Sequence, residues 1–196
     1  MDWKLALQIV GIVLGLLYLW LEYRANVWLW VVGMIMPLVH GALYFQSGLY
    51  ADCAMEIYYV AASVYGLAVW LCHPARRAKK GDNYAGIRHT PMQSAALLAT
   101  AYLLLHGGIY GLLVRFTDST VPFWDSMTTA LCIVAMFMLS RKYVEQWLVW
   151  LVIDIVSAVL YVYKGIPLTA GLYALYSVLA VAGYIRWRKA MRQGVA

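Results

Sequence analysis

Apolar residues run long enough to cross a bilayer seven times, at about 5–23, 27–46, 50–72, 93–114, 124–140, 143–163 and 168–187. A spanning helix needs about 20 such residues, so the pattern predicts seven helices with almost nothing left for a soluble domain. The 124–140 stretch is the shortest and starts just after Pro122. The first stretch lacks a small-residue cleavage site and reads as a retained helix, not a signal peptide. Polar residues gather in tight turns such as Gln46-Ser47-Gly48 and Lys164-Gly165-Ile166-Pro167, which suit antiparallel neighbouring helices. The one sizeable polar segment, 73–92, carries His73-Pro74, Gly81 and Pro91 among basic residues and reads as a mobile cytoplasmic loop.

The polar and aromatic landmarks repeat. At an offset of 117 positions, without a gap, Arg24 falls on Arg141, Trp30 on Trp147, Leu43-Tyr44 on Leu160-Tyr161, Gly48 on Gly165, Tyr59 on Tyr176, Gly66 on Gly183 and Trp70 on Trp187. One supersecondary unit used twice explains a fixed offset. Helices 1–3 and 5–7 are then the copies, parallel because a shift of four helices preserves direction, and helix 4 is the linker between them. The expected fold is an all-α integral membrane bundle of the 3+1+3 kind. Its first three-helix repeat covers 1–72, the loop and linker helix 73–122, and the second repeat 123–196. Paired repeats are a common construction of transporters, with substrate held between the halves near mid-bilayer.

Composition agrees: 64% of the residues are hydrophobic and only 12% charged, too apolar for a soluble domain of 196 residues. Basic residues follow helices 1, 3, 5 and 7, whereas the opposite side holds only Lys4, Arg115 and Lys164. The positive-inside rule then places the N-terminus outside and the C-terminus in the cytoplasm. The net charge of +6 reflects this topology and calls for no nucleic acid. Cys53, Cys72 and Cys132 lack metal-ligand spacing and read as packing residues. No phosphate loop, zinc signature or nucleophile elbow is present, so no metal or cofactor is expected and an ATP-driven pump is excluded.

Chemistry concentrates on three helix faces. Trp147, Trp150, Asp154, Ser157 and Tyr161 form one stripe on helix 6. At offset 117 they correspond to Trp30, Gly33, Pro37, His40 and Tyr44 on helix 2, while helix 3 carries Asp52, Glu56, Tyr59, Ser63 and Gly66. These faces are expected to converge on one cavity with a pseudo-symmetric frame and an asymmetric lining. Carboxylates facing lipid are costly, so Asp154 and Glu56 are expected to meet a ligand. Asp52 and Asp125, near helix ends, read as structural. Aromatic faces beside a carboxylate suit a flat heteroaromatic cation. Trp3, Trp20, Trp28 and Trp187 read as interfacial belt residues. His40 and His106 read first as hydrogen-bonded packing groups and second as proton-coupling groups.

The run Arg141-Lys142-Tyr143-Val144-Glu145-Gln146-Trp147-Leu148-Val149-Trp150 resembles the PnuC-type vitamin transporters, whose sixth core helix carries a Trp-x-x-Trp motif lining the substrate site. Pro122-Phe123-Trp124-Asp125-Ser126, Leu49-Tyr50-Ala51 and Tyr65-Gly66 extend the resemblance over the whole chain. It implies a bundle related to SWEET sugar transporters, homotrimers in a bacterial inner membrane, and facilitated diffusion followed by cytoplasmic phosphorylation of the captured vitamin. Nicotinamide riboside members usually carry Asn where this chain has Asp154, Gln where it has Glu56, and Glu-Asn where it has Glu145-Gln146. Two acids in place of two amides point to thiamine and the PnuT branch, with nicotinamide riboside, also cationic, as the alternative. The expected site is Trp147, Trp150, Asp154, Glu56, Tyr59, Ser157 and Tyr161, with Trp30 and His40 from the first repeat. Two other classes stay open: a membrane receptor or subunit that binds without transporting, and a lipid-modifying enzyme. The latter would need a cytosol-facing acid cluster, whereas these acids are dispersed over different helices.

Overall fold

The computed structural model describes residues 3–46, 50–72, 83–163, 165 and 167–194. The expectations for the 73–82 part of the loop, and for the side chains of Tyr44, Asp52, Cys53 and Lys164, lie outside the described residues. Seven helices follow one another: α1 (Trp3–Tyr23), α2 (Trp28–Gln46), α3 (Tyr50–Cys72), α4 (Met92–Phe116), α5 (Pro122–Ser140), α6 (Gln146–Tyr163) and α7 (Pro167–Gly194). Among the described residues, α4, α5, α6 and the Met55–Cys72 part of α3 are long and apolar enough to span a bilayer; Val13–Tyr23 and Trp28–Ala42 are shorter apolar segments.

Several boundaries differ from the hydropathy pattern, two of them for a clear reason. Helix α5 starts at Pro122, where a missing N–H and a fixed φ suit the first helical position. Helix α7 continues for 28 residues to Gly194, carrying Arg188, Lys189 and Arg192 beyond its apolar stretch. Helix formation does not stop where hydropathy does, because Arg and Lys are good helix formers.

The chain divides into two compact units, Met1–Gly86 and Ile87–Ala196. In unit 1, α1 packs on α2 and α2 on α3. In unit 2, α4, α5, α6 and α7 pack in succession, with α6 and α7 the most extensively paired. No residue of α4 is buried, in keeping with an apolar surface turned to lipid. Its packed side meets a small core of Val134, Met138 and Tyr143 through Leu98 and Tyr102.

The turn from α1 to α2 and the turn from α5 to α6 share one geometry. Ala25 (φ 47°) and Lys142 (φ 54°) both adopt the left-handed conformation that non-glycine residues rarely take. Their N–H groups donate to Glu22 O (2.8 Å) and Leu139 O (2.9 Å), and the next N–H groups, of Asn26 and Tyr143, donate to Leu21 O (2.9 Å) and Met138 O (3.0 Å). Arg24 lies over Trp20 at 5.1 Å and Arg141 over Phe137 at 5.4 Å. Every one of these pairs is related by the 117-residue offset.

Candidate functional site

In unit 2 the helical stripe of α6 is turned to α7. The Trp147 ring lies against Gly183, where an added Cβ would sit 2.6–2.7 Å from ring atoms, and meets Trp187 edge-on at 5.7 Å. Trp147 and Trp187 are both buried, so Trp147 joins two helices where small residues let the backbones approach. This corrects the reading of Trp187 as a belt residue and shows that the Trp147 face is occupied by packing. Trp150, one turn on, is partly exposed. Asp154 is 7% exposed, and among the described residues it has no hydrogen bond or ion pair. Farther along, Tyr161 stacks on Tyr173 of α7 at 5.2 Å, and Tyr173 meets Tyr176 at 5.7 Å. Ser157 sits between these levels, half-buried.

Unit 1 repeats the frame and changes the lining. Trp30 is fully buried, packs on Gly66 and meets Trp70 edge-on at 5.5 Å, as Trp147 does with Gly183 and Trp187. Pro37 has no N–H, so the carbonyl of Gly33, four residues earlier, loses its helical donor. The Ser63 hydroxyl of α3 donates to that carbonyl at 3.0 Å. The equivalents in unit 2 are Asp154, Trp150 and Ala180: Asp154 keeps its N–H, so no hydroxyl is needed and an alanine suffices. His40 Nδ1 lies 3.9 Å from Glu56 Oε1, bringing those two expected site residues together. Tyr59 packs against Tyr58 at 5.5 Å.

The first turn of α6 is anchored from outside the helix. Arg88 and Tyr143 form a parallel bridge, Arg88 N–H donating to Lys142 O (3.2 Å) and Val144 N–H to Arg88 O (3.1 Å). The Glu145 carboxylate receives the Thr90 N–H (2.9 Å) and hydroxyl (2.8 Å) on one oxygen and His89 Nδ1 (2.6 Å) on the other. Burial pushes its pKa up, but hydrogen bonds from His89, Thr90 and its own backbone outweigh that and hold it below the usual value. Next to it, Gln146 is fully buried where unit 1 has Leu29, and neither atom of its amide group has a hydrogen-bond partner among the described residues.

His106 is placed as a packing group: it lies 3.1 Å from Ser126 Oγ, stacks on Tyr102 and meets Phe123 edge-on. Asp125 accepts a hydrogen bond from Ser119 at 2.7 Å, which suits a structural acid. Among the described residues no group of His, Cys, Asp and Glu could hold a metal, and Cys72 and Cys132 are free thiols. Sequence reasoning missed Glu22, a carboxylate only 1% exposed, and the tyrosines Tyr173 and Tyr176. The offset could have flagged the tyrosines, since they correspond to Glu56 and Tyr59.

Known proteins resemble this chain along nearly its whole length. Residues 5–189 match the family model described as nicotinamide mononucleotide transporter. The nicotinamide riboside transporter PnuC of Escherichia coli (strain K12) is 26% identical, covering 95% of this chain and 87% of that one. The riboflavin/roseoflavin transporter RibM of Streptomyces davaonensis is 28% identical, covering 92% and 83%. Among solved structures, the crystal structure of the vitamin B3 transporter PnuC superposes with a TM-score of 0.77 at 22% identity, covering 98% of this chain and 84% of that one.

Proposed function

The chain belongs to the nicotinamide mononucleotide transporter family, and from that premise we propose that it is a multi-pass inner-membrane carrier of nicotinamide riboside. Asp154 carries the reading. A carboxylate buried in an apolar helix, with no hydrogen bond or ion pair among the described residues, is costly unless a ligand meets it. Trp150 stacks on the pyridinium ring, Asp154 meets its charge, and Ser157 and Tyr161 meet the sugar hydroxyls. Within unit 1, Glu56, His40 and Tyr59 form a polar group of their own, Glu56 and His40 3.9 Å apart. Trp147 and Trp30 shape the site by fixing their helix pairs. Transport is facilitated diffusion through rocking of two parallel three-helix repeats joined by α4, with the N-terminus outside, and cytoplasmic phosphorylation traps the vitamin.

Thiamine is the second reading, favoured by Asp154 in place of the amide usual in nicotinamide riboside carriers. It ranks second because the relatives named above carry nicotinamide riboside and riboflavin. Its argument also needs two free acids, whereas Glu56 has His40 beside it.

Uptake into proteoliposomes tests both. Labelled nicotinamide riboside should fill the lumen and stop at equal concentrations on the two sides, without an energy source. Binding without filling indicates a receptor. Filling by thiamine alone installs the second reading, and filling by neither overturns the proposal.

A further inference from the structure

The contacts between α6 and α7 fix their antiparallel register. Trp147 meets Gly183 at one end and Tyr161 meets Tyr173 at the other. Between these contacts the register sets Ala180 opposite Trp150 and Tyr176 opposite Asp154, with Tyr173 packed against Tyr176 at 5.7 Å. Three aromatic rings therefore gather beside one buried acid. Among the described residues, the hydroxyls of Tyr161, Tyr173 and Tyr176 make no hydrogen bond, and neither does Asp154. None of these oxygens is fully enclosed by protein, so they are accessible to a ligand, and a cluster serving only to fill space would do so with Phe or Leu at no polar penalty. Unit 1 supplies the contrast: its residues at the positions of Tyr173 and Asp154 are Glu56 and Pro37, and its acid has a histidine at 3.9 Å.

We propose that Tyr173 and Tyr176 of α7, with Tyr161 and Asp154 of α6, form an aromatic cation subsite that selects the ligand by the permanent charge on its ring. The inference rests on the transport reading above and adds the selection rule: aromatic faces attract a desolvated cation through their quadrupole, the carboxylate neutralises it, and the free hydroxyls take up the polar groups around it. A neutral ring of the same shape forfeits the first two terms and leaves Asp154 uncompensated.

Purified full-length protein is titrated with nicotinamide riboside and with its 1,4-dihydropyridine form, which has the same size and hydroxyls but no ring charge. Wild type should favour the cation by at least about 30-fold. Tyr173→Leu and Tyr176→Leu should each weaken cation binding by about 10-fold while changing binding of the neutral form by less than about 2-fold. Tyr173→Phe and Tyr176→Phe keep the ring and should keep the charge preference. A folded Leu variant that retains the full preference overturns the proposal. If the Leu variants do not fold, ring fluorination in the Tyr176→Phe background decides, because it drains the π face without changing shape; an unchanged preference then overturns the proposal. A wild type that binds neither form sinks the nicotinamide reading alone. The subsite is then judged on thiamine against riboflavin, and preference for the neutral riboflavin overturns it.

Discussion

The α2–α3 pair of unit 1 and the α6–α7 pair of unit 2 share a frame and differ in what the frame holds. Both close a tryptophan on a glycine with a second tryptophan edge-on: Trp30, Gly66 and Trp70 in one, Trp147, Gly183 and Trp187 in the other. Along the rest of the seam Tyr59 matches Tyr176, but other positions differ. Unit 1 has Gly33, Pro37, His40 and Glu56 where unit 2 has Trp150, Asp154, Ser157 and Tyr173. What is repeated serves helix packing, which both copies need equally. What is not repeated is free to fit a ligand that has no two-fold symmetry. The difference also extends to the acids, since Glu56 has a histidine nearby and Asp154 has no ion pair among the described residues.

The shared frame is the part whose loss should do most damage. Gly66→Ala and Gly183→Ala each drive a methyl group into an indole held on both sides, and the helices must part to admit it. Overpacking of this kind costs about 1–3 kcal/mol and occasionally more. Thermal unfolding in detergent should show both variants destabilised to a similar degree. A tolerated Gly66→Ala beside an unfolded Gly183→Ala would break the equivalence of the two pairs.

Next comes the comparison of the acids. Asp154→Asn should weaken binding of nicotinamide riboside by about 10–100-fold, the worth of a hydrogen bond to a charged group. Glu56→Gln should change it by less than about 3-fold, because Glu56 already has partners within unit 1, His40 among them at 3.9 Å. Equal losses, measured by tryptophan fluorescence titration, would mean that His40 does not compensate Glu56.

Much of this organisation can be read in the sequence, for identifiable reasons. Apolar helices stand out as hydrophobic runs, so all seven helices are legible near where they lie, and a turn rich in Gly, Ser or Lys marks most of their ends. Helix ends that do not coincide with a change in hydropathy are invisible to that reading, as Pro122 and the basic end of α7 show. The packing role of Trp147 is hidden in the sequence for a different reason. A tryptophan beside a buried acid has the composition of a binding site, yet Trp147 belongs to a triad present in both copies, and that repetition marks it as scaffold. Tyr173 and Tyr176 escaped because tyrosine is abundant here and only the register of α6 against α7 shows which ones stand beside Asp154.

A smaller effect separates the two seams at their midpoints. Ser63→Ala removes the donor to the Gly33 carbonyl and leaves that oxygen unsatisfied beside Pro37. The loss should be about 1–3 kcal/mol. Pro37→Ala restores an N–H four residues after Gly33, so in that background Ser63→Ala should cost little. A double-mutant cycle in thermal unfolding measures the coupling. Additive losses would mean that the hydroxyl serves some other purpose than replacing the proline's missing donor.

The smallest effect concerns the clamp that unit 2 has and unit 1 lacks. Trp28, the counterpart of Glu145, is 62% exposed and carries no acid. Glu145 fastens the strand before α4 to the first turn of α6 through His89 and Thr90. Because the clamp is partly exposed, Glu145→Gln should cost only about 1 kcal/mol at neutral pH. Its signature is the pH dependence. Folding holds the Glu145 pKa below its ordinary value of 4.5, so the carboxylate's contribution is fully present above that value. It is lost as pH falls from there through the lower folded value. The gap in melting temperature between wild type and Glu145→Gln should therefore be constant near neutrality and close as the solution is acidified below about pH 4.5. A gap that persists at lower pH would locate the benefit in the packing of the side chain, not in its charge, and unit 2 would then differ from unit 1 here only in shape.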